Sequence, residues 1–123
     1  MSISPVKIFD RYISTKDVEN ILKKRKTVEC EPATERGLKI KVNDIIGFSN
    51  VVPIKENRLI HCRTEVTNIT YYASFEAFFK DYLAECLPDV LTIEEAVVKY
   101  HKIHGTEEEQ KHGVVAFHIK LIE

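Results

Sequence analysis

A lysine and a glutamate, Lys26 and Glu29, stand three residues apart in the stretch Lys26-Thr27-Val28-Glu29. A lysine held partly out of water beside a carboxylate can act as a general base or can anchor a phosphate group. Regular strand alternation would place the two side chains on opposite faces. They therefore share a cleft only if the strand begins after Lys26 or contains a bulge, and the alternative is an ion pair at the surface.

Several other side chains are suited to contact with RNA or a nucleotide. Arg36, in a polar loop, can offer its guanidinium to a phosphate group. Tyr72, at the end of a long strand, can stack on a base or can belong to the edge of the core. Lys41 and Arg63 are further cationic candidates for contact with RNA. These four residues, together with Lys26, form the predicted binding set.

The histidines and cysteines do not predict a metal site. His101 and His104 have a spacing that metal ligands use, but no third ligand accompanies them, and we expect them to stabilise the negative end of a helix. The three cysteines, Cys30, Cys62 and Cys86, are odd in number and form no CxxC pair. That pattern argues against a disulfide framework or a cysteine zinc site. Cys30 and Cys62 are predicted to be core residues, and no cofactor or metal is expected.

Composition indicates an ordinary globular protein. The chain has 123 residues, of which 44% are hydrophobic and 30% charged, and it fits one domain over residues 1–123. The formal net charge is -1, which does not by itself indicate a nucleic-acid-binding protein. No N-terminal apolar run and no segment near the ~20 residues of a membrane span is present, so we expect an intracellular protein without membrane contact.

The hydrophobic patterns predict a mixture of strands and helices. Helices are expected to begin near Ser14, Ser74 and Thr92, where side-chain oxygens can cap the first turn. A polar loop is expected at Ala33 to Gly37 and another at Pro53 to Asn57. The predicted strands are Val6 to Tyr12, Thr27 to Glu31, Ile45 to Phe48 with a continuation at Val51 and Val52, Arg58 to Tyr72 with a bulge, and Gly113 to Ile122. Because the helices do not alternate with strands, we expect an α+β fold, a small mixed or antiparallel barrel with short helices packed at its ends.

Two further patterns belong to the helices. Phe75, Phe78, Phe79 and Tyr82 recur at helical spacing and predict a buried aromatic stripe. The run Glu107-Glu108-Glu109 is expected to be a solvated face.

Five collinear segments resemble ASCH domains, which belong to the PUA-like superfamily. The segments are Arg25 to Glu31, Ile40 to Phe48, Tyr72 to Phe75, Ile93 to Ala96 with Tyr100, and Gly113 to Phe117. The family typically carries Gly-x-Lys-Thr-x-Glu-x-Arg. Lys26, Thr27 and Glu29 match this motif, Arg25 stands directly before the lysine where no glycine is present, and Glu31 replaces the final Arg. The usual glycine of a later turn is Asn43. Glu31 removes a phosphate donor, for which Arg36 can substitute. The resemblance implies a PUA-like barrel whose cleft takes RNA or a modified nucleoside.

The resemblance and the departures from it lead to three functional hypotheses. Some family members remove the acetyl group of acetylcytidine with a Lys, Thr and Glu set. Lys26 matches that lysine, but Glu29 stands where the threonine nucleophile is expected, and a carboxylate cannot be activated by losing a proton. The remaining acid would fall near Asp89 or Glu85. Binding of RNA or a modified nucleotide is therefore the first hypothesis. The second is a ribonuclease or nucleoside amidohydrolase that uses Lys26, Glu29 and Asp89, and the third is a protein-interaction adaptor.

Overall fold

Five strands form one mixed sheet in the computed structural model, which describes residues 5–50 and 59–123. The strands are β1 Ile8–Ile13, β2 Val28–Pro32, β3 Ile45–Asn50, β4 His61–Tyr72 and β5 Val114–Leu121, in the spatial order β1-β3-β4-β5-β2. β1 pairs with β3 in parallel, and the other neighbours are antiparallel. β1 and β2 are the two edge strands of this order, and the sheet curls into a half-barrel. The predicted α+β mixed barrel with short helices is confirmed.

The described part of the chain contains five helices beside this sheet. They are α1 Thr15–Leu22, α2 Glu35–Leu38, α3 Phe75–Cys86, α4 Ile93–His104 and α5 Glu107–His112. The predicted caps are present, since Ser14, Ser74 and Thr92 each accept a hydrogen bond from a backbone amide in the first turn. The loop prediction for Ala33 to Gly37 is wrong in its second half, because α2 begins at Glu35 and the Leu38 amide donates to the Thr34 carbonyl at 2.9 Å.

The long fourth strand contains the expected bulge. Its register with β5 shifts between Val66 and Asn68. Before the bulge, Cys62, Thr64 and Val66 are buried as predicted, whereas Asn68 is exposed because the bulge changes which side chains face the core. The strand begins at His61, so the predicted Leu59 and Ile60 lie before it, and the predictions for Val51 to Arg58 lie outside the described residues.

The described residues form two hydrophobic core clusters, one on each face of the curled sheet. One cluster packs α1 against the inside of the half-barrel and includes Val18 and Phe117. The other packs α3 and α4 against the opposite face and includes the predicted aromatic residues Phe75, Phe78 and Phe79. Cys30 and Cys62 are buried among these side chains, which confirms their predicted place in the core. No helix in the described ranges has the length and apolar content needed to cross a membrane.

The acidic run at the start of α5 is not uniformly solvated. Glu109 is buried, and its carboxylate accepts hydrogen bonds from the Phe75 amide at 2.7 Å and from His101 Nε2 at 2.7 Å. The prediction of a solvated face is therefore wrong for this residue. Glu109 closes the N-terminus of α3, where free amides and the helix dipole favour a carboxylate.

Replacing Glu109 with alanine is expected to lower the free energy of unfolding by about 2 to 3 kcal/mol, because a buried amide loses a charged acceptor. Urea denaturation at neutral pH measures this loss. Glu107→Ala in the same run is the matched control, since Glu107 is exposed and should change stability by less than about 0.5 kcal/mol. Equal losses in the two variants would contradict the capping role of Glu109.

Candidate functional site

A cleft of about 260 Å³ opens into the half-barrel between its two edge strands. β1 lines one side, β2 lines the other, and α4 contributes Tyr100, Ile103 and His104. Glu29, Cys30 and Glu31 of β2 all line the cleft, and Val28 and Cys30 also pack into the cluster beneath α3. Glu29 and Glu31, two residues apart on the strand, therefore place two carboxylates on the cleft wall.

The Glu29 carboxylate is held by donors from three parts of the chain. Its Oε1 accepts from the Cys30 amide at 2.9 Å and from the Tyr100 hydroxyl. Its Oε2 lies 3.2 Å from Lys26 Nζ. Burial raises the pKa of Tyr100, so that residue stays a protonated donor. A carboxylate offers about four acceptor positions, so Glu29, which lines the cleft, retains acceptor capacity on Oε2.

Lys26 lies directly behind Glu29. β2 begins at Val28, so Lys26 lies before the strand and does not follow its alternation. This is the condition under which Lys26 and Glu29 were predicted to share a cleft. The pair is not a surface ion pair, because Lys26 is only 1% exposed. Lys26 Nζ donates to the Cys86 carbonyl at 2.8 Å and lies 3.4 Å from the Cys86 sulfur. All three ammonium protons therefore have acceptors inside the protein.

The charge on Lys26 is stabilised by its surroundings. Burial by itself lowers the pKa of the ammonium, but the Cys86 sulfur and the carboxylates of Glu29 and Asp17 favour the charged form, and the net shift of the pKa is upward. A charged lysine with no lone pair cannot accept a proton. In this arrangement Lys26 positions Glu29 and balances its charge.

A second carboxylate, Asp17 on α1, borders the same cleft and is buried. Burial raises the pKa of Asp17, while the nearby Lys26 ammonium opposes that rise. Lys99 approaches the Asp17 carboxylate at 3.8 Å from α4. The inner part of the cleft therefore presents two carboxylates, both of which accept hydrogen bonds.

An ion pair joins the two edge strands of the half-barrel across the cleft. Arg11 on β1 donates from Nε to Glu31 Oε1 at 2.8 Å and from Nη2 to Glu31 Oε2 at 3.2 Å. The two side chains are 12% and 10% exposed, so water screens this bidentate pair only weakly. Arg11 therefore balances the negative charge of Glu31, the residue that stands where the family motif has an arginine.

The outer part of the cleft is formed by Arg36, Tyr12 and His104. Arg36 forms no ion pair with any residue in the described ranges, so its guanidinium is available to a ligand. Tyr12 is 72% exposed and presents its ring beside the opening. His104 stacks against Phe75 with ring centroids 5.7 Å apart, and burial lowers its pKa. It is therefore a neutral ring rather than a cation at pH 7.

One buried cluster has the composition of a metal site. Glu29, Cys30 and Cys86 place a carboxylate oxygen and two sulfurs within 4.8 Å of one another. Lys26 Nζ, however, lies within 3.4 Å of both Glu29 and Cys86 and already supplies a positive charge there. Burial also raises the pKa of the Cys30 thiol, which disfavours the thiolate that metals bind. The cluster fits the lysine ammonium better than a metal ion.

Comparisons with known proteins give matches at the level of structure. No protein-family model and no curated protein sequence matches this chain. The hypothetical protein PH0355 is 29% identical with a TM-score of 0.79, and the match covers 94% of this chain and 99% of that one. Protein PF0455 from Pyrococcus furiosus is 27% identical with a TM-score of 0.73, over 94% and 98% of the two chains.

Two ASCH structures match as well. The ASCH protein from Zymomonas mobilis is 17% identical with a TM-score of 0.64, over 93% of this chain and 67% of that one. The ASCH domain from Lactobacillus crispatus is 15% identical with a TM-score of 0.63, over 94% and 79%. This chain has the ASCH-domain fold. The resemblance inferred from five short motifs is confirmed at the level of fold.

The ASCH fold brings three of the predicted residues together and separates the others. Lys26, Glu29 and Arg36 lie at or directly behind the cleft. Asp89 does not line it, because its carboxylate turns to the surface, where it accepts from Asn20 at 2.9 Å and pairs with Arg25 at 3.1 Å. These donors lower the pKa of Asp89, with the Asn20 hydrogen bond as the main cause.

The remaining predicted binding residues also lie away from the cleft. Lys41 is exposed in the turn before β3. Arg63 is exposed on the outer face of β4, opposite Gly47. Tyr72 packs edge-on against Phe78, with centroids 5.5 Å apart, and its hydroxyl donates to Asp81. Tyr72 is therefore a tyrosine at the edge of the core rather than a ring presented to the cleft.

Sequence reasoning missed Arg11, Asp17 and the role of Tyr100. On β1, Phe9, Arg11 and Ile13 are the partly buried residues, whereas the positions between them are exposed. An arginine at an inward position of an alternating strand signals a buried charge partner. Asp17 lies one helical turn before the buried Ile21 on α1 and therefore occupies a core-facing position. A carboxylate at such a position likewise indicates a buried charge partner.

Proposed function

We propose that this chain, as one domain inside the cell, binds a single base of RNA or a modified nucleoside in the cleft between β1 and β2. The observation that carries the proposal is the Glu29 carboxylate. Lys26 and Tyr100 fix it in place, and it retains acceptor capacity toward the cleft. A fixed carboxylate beside a second one, Asp17, suits the N–H groups on the hydrogen-bonding edge of a base.

The size and outer residues of the cleft support the same proposal. Ligand pockets for drug-sized molecules span about 300 to 1,000 Å³, and this cleft is slightly smaller at about 260 Å³. That volume suits one base or nucleoside, while a connected strand would pass outside. There Arg36 can contact a phosphate group and the exposed Tyr12 ring can stack on a neighbouring base.

The arrangement favours binding over hydrolysis. Lys26 has a raised pKa and three internal acceptors, so it does not supply a base. Glu29 replaces the hydroxyl nucleophile of the acetylcytidine amidohydrolases, and Asp89 lies outside the cleft. Ligand binding through the shape of the cleft, its carboxylate acceptors and the Arg36 guanidinium requires no chemical reaction of Lys26, Glu29 or Asp89.

Binding is tested by fluorescence anisotropy with short single-stranded RNAs of varied sequence, and by calorimetry with free nucleosides. We expect micromolar binding of RNA that weakens as salt rises. Arg36→Ala should weaken RNA binding about fourfold at physiological salt, since one phosphate contact on a single strand contributes a log–log salt slope of about 0.7.

The matched control is Lys39→Ala, which removes an exposed cation just after α2 that does not line the cleft. It should leave the affinity within twofold of the parent. Equal effects of the two substitutions would contradict a specific contact at Arg36. Absent or salt-independent binding across the RNA panel, with no nucleoside bound, would refute the proposed function.

A further inference from the structure

The outward face of α4 carries aliphatic side chains that no other part of residues 5–50 and 59–123 covers. Val98 is 54% exposed and Ile103 is 60% exposed, and Leu91, just before the helix, is 88% exposed. Beside them runs a shallow groove of about 540 Å³, lined by Glu94, Glu95, Val98, Lys99, Lys102 and Ile103. Single exposed aliphatic residues are common, but Val98 and Ile103 line one groove, and with Leu91 just before the helix they indicate a contact surface.

The charges on this face are arranged symmetrically about Val98. Glu94 lies four residues before Val98 and Lys102 lies four residues after it, and both are exposed. Neither forms an ion pair within the described ranges. In an antiparallel pair of identical helices centred on Val98, each Glu94 lies opposite the other copy's Lys102. The face is therefore complementary in charge to a second copy of itself.

The shape of the face follows the same symmetry. Leu91 lies seven residues before Val98, and Gly105 lies seven residues after it. Gly105 has no side chain, and the position where a Cβ would project has no atom within 4 Å. An antiparallel copy would thus set its exposed Leu91 over an open glycine. Leu91 and Gly105 flank the two ends of α4, so this contact would lie just beyond the ends of the helix pair.

We propose that two copies of this chain associate through antiparallel packing of α4, on a two-fold axis that passes beside Val98. The partner is a second copy because Val98 faces its own image, Glu94 faces the image of Lys102, and the exposed Leu91 faces the image of Gly105. The surface is small compared with standard interfaces of about 800 Å² per partner, so the dimer forms at micromolar to higher concentration. Ile103 lines both the α4 groove and the cleft, so the two clefts of the dimer would lie near each other.

Sedimentation velocity over a concentration series tests the association in low salt. The parent should form a dimer, and Lys102→Glu should weaken it roughly tenfold, because two ion pairs per dimer change from attraction to repulsion. The double variant Glu94→Lys/Lys102→Glu restores opposite charges and should regain most of the affinity. Lys80→Glu, a charge reversal on the exposed face of α3, is the matched control and should leave the dimer intact.

Cross-linking tests the position of the axis. Val98→Cys should form a covalent dimer on oxidation with copper phenanthroline, since the two introduced thiols face each other, and Lys80→Cys should not. The native cysteines are buried and do not compete. A parent that stays monomeric at millimolar concentration would overturn the proposal. So would a double variant no more dimeric than Lys102→Glu, or equal cross-linking of the two cysteine variants.

Discussion

Replacing Lys26 with methionine is expected to lower the free energy of unfolding by about 3 to 5 kcal/mol. The methionine nearly preserves the shape of the side chain, so the loss reflects charge rather than a cavity. Glu29 and Asp17 would remain buried without the cation that balances them, and the Cys86 carbonyl would lose its donor. Urea denaturation at pH 7, followed by circular dichroism, measures the effect.

A double variant separates the charge pair from other roles of Lys26. In Lys26→Met/Glu29→Met both charges are removed, and apolar replacement of a whole buried pair is often close to neutral. We expect the double variant to recover at least half of the single variant's loss. Arg25→Met, the exposed neighbour that pairs with Asp89, is the control and should cost under 1 kcal/mol. A Lys26→Met loss as small as that of the control would contradict the buried ion pair.

Reversing the charge of Arg11 should have the next largest effect. Arg11→Glu places two carboxylates together at the opening between β1 and β2, where water screens them weakly, and we expect a loss of about 2 to 4 kcal/mol. The exchanged pair Arg11→Glu/Glu31→Arg should regain most of that loss, because a bidentate pair can form again across the cleft. Thermal and urea unfolding of the three proteins provides the measurement.

The comparison for this series is Arg63→Glu, since Arg63 is exposed on the outer face of β4 and forms no ion pair in the described ranges. It should change stability by less than about 0.5 kcal/mol. If the exchanged pair were no more stable than Arg11→Glu alone, the coupling between the two edge strands would be disproved.

Local patterns predicted much of this fold. The caps at Ser14, Ser74 and Thr92 depend on a few neighbouring residues, and each forms as expected. The aromatic stripe of α3 and the bulge in β4 are likewise set by short-range periodicity and strand length. The order of these elements was sufficient to indicate the ASCH fold, because several weak motifs in sequence order constrain the arrangement together.

The site was harder to predict because its contacts are long-range. Lys26 and Cys86 are 60 residues apart, and Arg11 and Glu31 meet only because the curled sheet leaves β1 and β2 as facing edges. The burial of the Lys26–Glu29 pair depends on α3 and α4 covering it. No pattern within a single strand or helix carries that information, and the same reason explains the unexpected burial of Glu109.

The parallel pairing of β1 with β3 has a consequence for synthesis on the ribosome. β1 is the first strand of the described chain to emerge, yet its hydrogen-bonding partner ends only at Asn50. Until β3 has left the exit tunnel, β1 is an unpaired strand that carries the apolar side chains of Ile8 and Tyr12. α1 has eight residues and is too short to be stable without tertiary packing. The nascent chain must therefore wait for residues far downstream before the first edge of its cleft exists.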